Sequence, residues 1–178
     1  MTKAEFPWSM KVAIDDIPQT GAHFNLSADE RIRTELAGIA GLRALPRLQA
    51  SFEVSRYGPD GLHVVGEVSA TIGQTCVVTL EPMESELRER VDLLFAPPAV
   101  SSTAGESEVT MRLDEREPPD TLSDGAADLG AVATEFLLLG IDPYPRKPGA
   151  TFEFASAGDP ESHPFAALSA LKMGKGGK

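Results

Sequence analysis

From Leu48 to Ile72 the sequence switches between apolar and polar side chains almost residue by residue, and no other stretch constrains the fold so tightly. Leu48, Ala50, Phe52 and Val54 alternate with Gln49, Ser51, Glu53 and Ser55. That period of two puts one face of a strand in a core and the other in solvent. Tyr57-Gly-Pro-Asp-Gly61 interrupts the pattern with a turn, in which Pro59 presets φ and Gly61 is expected to accept a positive φ. Leu62, Val64, Gly66, Val68, Ala70 and Ile72 then resume the alternation, which predicts a hairpin with one apolar face. Carried further, the same phase predicts a third strand near Thr75–Leu80 with Cys76, Val78 and Leu80 on one face. Glu81-Pro82 is expected to end it, because proline cannot donate to the next rung. A fourth strand near Leu87–Phe95 places Val91, Leu93 and Phe95 opposite Arg88, Arg90 and Asp92. The expected arrangement is a meander.

Helical signals flank this region. After an extended start at Met10–Ile14, Ser27 and Glu30 have capping-box spacing, and Ile32, Leu36, Ile39 and Ala40 follow at helical intervals, predicting a helix over about 28–41. Asp128 is placed to cap a second helix, in which Leu129, Val132, Ala133, Phe136 and Leu137 share a face and Gly140 is the stop. A third helical turn or two runs from Pro164 through Phe165, Leu168 and Leu171. Val109, Met111 and Leu113 suggest one more short strand. Residues 97–107 and 114–127 read as mobile loops, and 173–178 as a flexible basic tail. The fold class that follows is α+β in a single domain over 1–178, a curved antiparallel sheet with two to three packed helices. Whether the sheet closes partly into a barrel is left open by the pattern.

Composition narrows the class. Apolar residues make up 42% of the 178, enough for a core and too many for a wholly disordered chain. A lone cysteine, Cys76, excludes an intramolecular disulfide and any multi-cysteine metal site. No apolar run approaches the roughly 20 residues of a membrane span. The first ten residues lack the apolar core of a signal peptide. No membrane association and a cytoplasmic, reducing location are therefore expected. The net charge is −11, and residues 81–135 alone hold 14 acidic against 4 basic side chains. Phosphate binding depends on Lys and Arg, so this middle third suits a basic protein partner, or simple solubility, better than RNA.

Motifs for chemistry are sparse. No G-x-G-x-x-G, phosphate loop, G-x-S-x-G or H-E-x-x-H occurs. His23, His63 and His163 stand far apart in sequence, and none has a carboxylate or cysteine at ligand spacing. Neither a metal nor a cofactor is implied. Cys76 could serve as a nucleophile only with a depressed thiol pKa, and its strand phase favours a buried small hydrophobe instead. Acidic pairs such as Asp15-Asp16 and Glu81, Glu84 and Glu86 could do acid–base work at a suitable separation, which sequence cannot measure. Asp142-Pro-Tyr-Pro-Arg-Lys-Pro148 cannot be helix interior. It brings Tyr144, Arg146 and Lys147 together on extended backbone, the aromatic-plus-cation pattern that holds single-stranded RNA. The alternative is that Tyr144 packs on the sheet and the prolines only route the chain. Arg31 and Arg33, with Arg43 and Arg47, form a second basic cluster interspersed with acids.

Three stretches together resemble the YceD family, the large ribosomal RNA subunit accumulation proteins, in its alphaproteobacterial form. They are Gln74-Thr-Cys-Val-Val-Thr-Leu-Glu-Pro82, Asp128 through Glu153 with its Phe136-Leu-Leu-Leu-Gly-Ile-Asp-Pro-Tyr-Pro core, and His163-Pro-Phe-Ala-Ala-Leu-Ser-Ala-Leu-Lys172. Many members carry C-x-x-C-L where this chain reads Cys76-Val-Val-Thr79-Leu80, so a paired-thiol role is not available here. The family motif residues in this sequence are thus Gln74, Cys76, Thr79, Leu80, Glu81 and Pro82. The resemblance implies a non-enzymatic accessory of ribosome biogenesis, supporting accumulation or processing of the large-subunit (23S) ribosomal RNA. Its expected partner is the RNA precursor or a basic ribosomal or assembly protein, with no cofactor. The readings set beside it are an RNA-processing hydrolase using Cys76 or a carboxylate pair, and a small-ligand-binding β-barrel. Against a nuclease stands the absence of a basic groove in the linear sequence.

Overall fold

A computed structural model describes residues 6–97, 119–122 and 125–152. In chain order it contains β1 (Lys11–Ala13), a 3-10 turn (Ile14–Asp16), β2 (Ala22–Ser27), α1 (Glu30–Ile39), β3 (Ala44–Tyr57), β4 (Gly61–Thr75), β5 (Pro82–Ala96), β6 (Asp120–Thr121), β7 (Ala126–Asp128) and α2 (Leu129–Gly140). The main sheet runs β2-β3-β4-β5-β6, antiparallel except for the short parallel pairing of β6 on β5. Among the described residues its edges, β2 and β6, do not pair with each other, so the sheet they form stays open and is not a barrel. β1 and β7 form a separate two-stranded ribbon. The fold is α+β, as the alternation and the helical spacings predict.

The hairpin forms in the expected phase. Leu48 pairs with Ala70, Ala50 with Val68, Phe52 with Gly66 and Val54 with Val64. All of these but Gly66 are buried, and with Leu62, Leu87, Val91 and Phe95 they make the sheet's inner face. Leu129, Val132, Ala133 and Leu137 of α2, Trp8, Ile17 and Leu36 of α1 complete the core on that side. Gly66 is the partner Phe52 needs, since a Cβ there would collide with the Ser51 carbonyl and the Phe52 ring. The hairpin turn differs in one detail from expectation. The positive φ falls at Gly58 (64°), not Gly61. Gly61 is required for a different reason: a Cβ would lie 2.5 Å from the Tyr57 carbonyl oxygen and 2.7 Å from that of Phe95.

Residues 76–81 are not a strand; they turn the chain so that β5 returns beside β4, with Thr75 opposite Pro82. Pro82 therefore opens a strand instead of closing one, a position where its missing donor is harmless. Leu80 leaves the phase of Cys76, with φ at 58° and 76% of its surface exposed. The fourth strand consequently grows from 87–95 to 82–96. At α1 the cap is Asp29, whose Oδ1 accepts from the Ile32 N–H at 2.8 Å, while Ser27 ends β2. β2 went unread because Phe24 and Leu26 alternate over only six residues. Asp128 does cap α2, accepting from the N–H groups of Gly130 and Ala131.

In and just after 114–127, Asp120–Thr121 pairs with β5 and Ala126–Asp128 with β1, and Leu122 is buried. Residue 97 is the only part of the 97–107 loop inside the described residues. The strand expected at Val109–Leu113, His163, the helical turns expected from Pro164 and the residues 173–178 read as a tail lie outside them.

Candidate functional site

Two of the three stretches behind the family resemblance meet in space. The β4–β5 turn, residues 76–81, is closed by its own backbone: the Cys76 N–H donates to the Glu81 carbonyl and the Leu80 N–H to the Cys76 carbonyl, each at 2.9 Å. The segment after α2 then docks against it. Gln74 at the end of β4 is buried and donates through Nε2 to the Asp142 carbonyl at 2.8 Å. The Val77 N–H donates to the Pro145 carbonyl at 2.9 Å. Pro145 is itself buried, and Asp142 Oδ1 accepts from the Tyr144 N–H at 2.8 Å to hold the bend. Nζ of Lys147 reaches Glu81 Oε2 at 2.7 Å and clamps the outside.

Cys76 lies at the centre of this knuckle with no exposed surface. Its sulfur accepts from the N–H of Thr79 at 3.5 Å and of Lys147 at 3.4 Å, so one atom ties the turn to a segment 71 residues away. The Thr79 hydroxyl and the backbone N–H groups of Lys147, Thr79 and Val78 hold the thiol pKa down to about 6, against the opposing effect of burial. Outside the clamp, the hydrogen bond and charge of Lys147 hold the Glu81 carboxyl below its ordinary range.

What the knuckle presents outward is apolar and aromatic. Val77 is exposed, and Leu80 and Tyr144 are more so, Tyr144 at 71%. Tyr144 therefore does not pack on the sheet. A left-handed backbone conformation costs an L residue roughly 1–2 kcal/mol relative to right-handed helix. At Leu80 that strain accompanies an aliphatic side chain standing in water. Arg146 is exposed beside Tyr144, while Lys147 is half-buried and bonded to Glu81. The aromatic-and-two-cation group read from sequence thus reduces to Tyr144 and Arg146, the one of its two cations without a partner among the described residues.

The remaining candidates sit elsewhere. Arg31 pairs with Glu35 at 2.8 Å along α1, and Arg33 donates to the Ala28 carbonyl at 2.8 Å. Arg47 binds Glu86, Ser69 and Gln49 across the outer face of the sheet. Glu86 is held low in pKa by the Thr71 hydroxyl and then by Arg47, the opposite of the raised carboxyl that a general acid needs. His63 pairs with Asp92 at 2.7 Å and His23 with Asn25 at 3.2 Å, both on the outer face. Among the described residues no group of three or more His, Cys, Asp or Glu could hold a metal ion. Sequence reading named Cys76 and Lys147 separately but missed their bond. The only signal for it was that both stretches carry the same resemblance.

The family model of the large ribosomal RNA subunit accumulation protein YceD matches residues 64–172. No curated protein and no solved structure matches the chain. The matched span includes β4 from Val64 onward, the knuckle, β5, α2 and the docking segment, so both halves of the Cys76 junction fall inside it. With more than half its length matched, and with that junction built from the matched residues, the chain belongs to the YceD family, whose name ties it to accumulation of large-subunit ribosomal RNA.

Proposed function

We propose that the protein supports large-subunit ribosomal RNA accumulation without catalysis, by holding an assembly partner at the Cys76 knuckle. The observation that carries this reading is the contrast within the knuckle. Its sulfur and backbone are bonded inward, whereas Val77, Leu80 and Tyr144 are held outward on a rigid turn. Tyr144 beside Arg146 has the composition of a binding hot spot, and holding it with Val77 and Leu80 on a closed turn lowers the ordering cost of binding.

Charge favours a protein over RNA as that partner. Tyr144 and Arg146 offer one stacking plane and one cation, but Glu81 and Asp142 lie on the same two segments, Glu84 follows at the start of β5, and Lys147 is already paired. A basic ribosomal or assembly protein fits this balance better than a polyanion. Hydrolysis finds little support, since a nucleophile must be reached and Cys76 has no exposed surface. The reading places the protein in the bacterial cytoplasm, where a lone thiol stays reduced. No helix among the described residues is long and apolar enough to cross a membrane.

The test is a deletion strain together with co-purification of the tagged protein, with and without RNase. Deletion is expected to lower mature large-subunit RNA, and a protein partner is expected to survive RNase and be lost in Leu80→Asp. Normal RNA levels in the deletion strain would overturn the proposal. Recovery of precursors only while RNA is intact would transfer the role to RNA contact through Tyr144 and Arg146.

A further inference from the structure

The outer side of α2 carries a second surface, distinct from the knuckle. Leu129-Gly-Ala-Val-Ala-Thr-Glu-Phe-Leu-Leu-Leu-Gly140 contains one charge, Glu135. Leu129, Val132, Ala133 and Leu137 turn into the core, which leaves Ala131, Glu135, Leu138 and Leu139 facing away. Leu139 is 73% exposed. With Phe6, Phe95 and Asp120–Thr121, this face lines an open groove of about 660 Å³. A surface helix ordinarily turns polar side chains outward, and this one does not.

The groove is bordered by Asp120, Asp128 and Glu135, and among the described residues no Lys, Arg or His lines it. Asp128 is fully engaged by Ser9, Met10, Gly130 and Ala131. Burial pushes its carboxyl up, yet those hydrogen bonds outweigh burial and keep it ionised at neutral pH. The carboxylates of Asp120 and Glu135 have no partner among the described residues. We infer that this groove docks a lysine- or arginine-bearing amphipathic segment of an assembly protein. Its apolar side chains lie on Phe6, Phe95, Leu138 and Leu139, and its cations meet Glu135 and Asp120. The inference rests on the partner-binding reading above and gives that partner its chemistry. The twelve residues of α2 span about 18 Å, room for roughly three turns of a bound helix. A second copy is disfavoured, because a two-fold contact would gather the same carboxylates on one patch.

The probe is a synthetic leucine–lysine amphipathic peptide of about five turns, titrated into isotope-labelled full-length protein at about 0.1 M salt. Beside it runs the same peptide with glutamate in place of lysine. We expect amide shifts centred on Phe6, Phe95, Ala131, Glu135, Leu138 and Leu139. Glu135→Lys and Leu139→Asp should each weaken binding by about tenfold or more. Both residues are exposed, and retained spectral dispersion in each variant confirms that the fold survives. Equal binding of the glutamate peptide, shifts centred elsewhere, or indifference to Glu135→Lys would overturn the inference. So would concentration-dependent shifts without peptide, which indicate a second copy. Groove shifts in full-length Leu168→Asp would overturn it too, by assigning the groove to the chain's own residues 163–172. If these results fail while Glu135→Lys protein still recovers an RNase-resistant partner from cells, the groove falls and the partner-binding reading stands. A deletion strain with normal large-subunit RNA would remove that reading whatever the peptide does.

Discussion

The β3–β4 hairpin and the Cys76 knuckle adjoin along β4, and opposite kinds of interaction hold them. The hairpin is a broad apolar face, with Phe52, Val54, Leu62, Val64 and Val68 all buried behind regular ladder bonds. Its stability is spread over many non-directional contacts, so its phase is written locally and tolerates much variation. The knuckle buries little apolar surface of its own. It depends on a few directional bonds to Cys76, Gln74 and Glu81 from residues about seventy positions away. The difference separates the part of the molecule that folds it from the part that presents a surface.

The sharpest way to break that contrast is Phe52→Ala, which empties the centre of the hairpin face and should cost about 3–5 kcal/mol in a urea unfolding curve. A loss no larger than that of a knuckle mutation would refute the division. Gln74→Ala should cost about 1–2 kcal/mol, because the Asp142 carbonyl loses its buried donor. Amide exchange should quicken around Val77 and Lys147 first, with β3 protection unchanged. Leu80→Gly should move stability the other way, by up to about 1 kcal/mol, since glycine accepts the φ of 58° without strain. The same variant should recover less partner from cells, separating presentation from folding.

Acidity offers a further test of the knuckle. The Cys76 thiol has a folded pKa of about 6, below its ordinary value of 9.0, so between these values the unfolded chain holds more protons than the folded one. Stability from this group is complete above about pH 9 and is lost as pH falls through 6. Cys76→Ala should flatten that part of the stability profile and leave the hairpin's exchange pattern intact. A profile identical to that of the wild type would show that the N–H groups of Thr79 and Lys147 do not hold a thiolate. The smallest effect belongs to Lys147→Met. Its ion pair with Glu81 is solvent-facing and should barely move the urea midpoint. The Glu81 titration should shift up toward the ordinary carboxylate range, and added salt should shift it the same way in the wild type.

Legibility followed interaction range. The hairpin phase, the Asp128 cap and the inward face of α2 could all be read because their determinants lie within a few residues of each other. At Ser27–Glu30 a local rule misled: the spacing of a capping box was present, but pairing of Ser27 with Gln49 drew it into β2 and left the cap to Asp29. In the candidate site, the individual residues Cys76, Thr79, Tyr144 and Lys147 were identified. Their arrangement was not, and neither was the engagement of Lys147 by Glu81.

By itself, then, the sequence determined an α+β chain with one half-buried meander, an acidic middle and a family resemblance carried by three stretches. It could not decide whether Cys76–Leu80 continues a strand or reverses, because side-chain alternation is compatible with both. Tertiary structure decided that. β5 returns beside β4 with Thr75 opposite Pro82, and the closed turn leaves the Val77 N–H and the Cys76 sulfur facing the segment after α2. Only there does a backbone carbonyl from Pro145 and an N–H from Lys147 satisfy them, and polar groups turned inward hold their place only when such partners arrive.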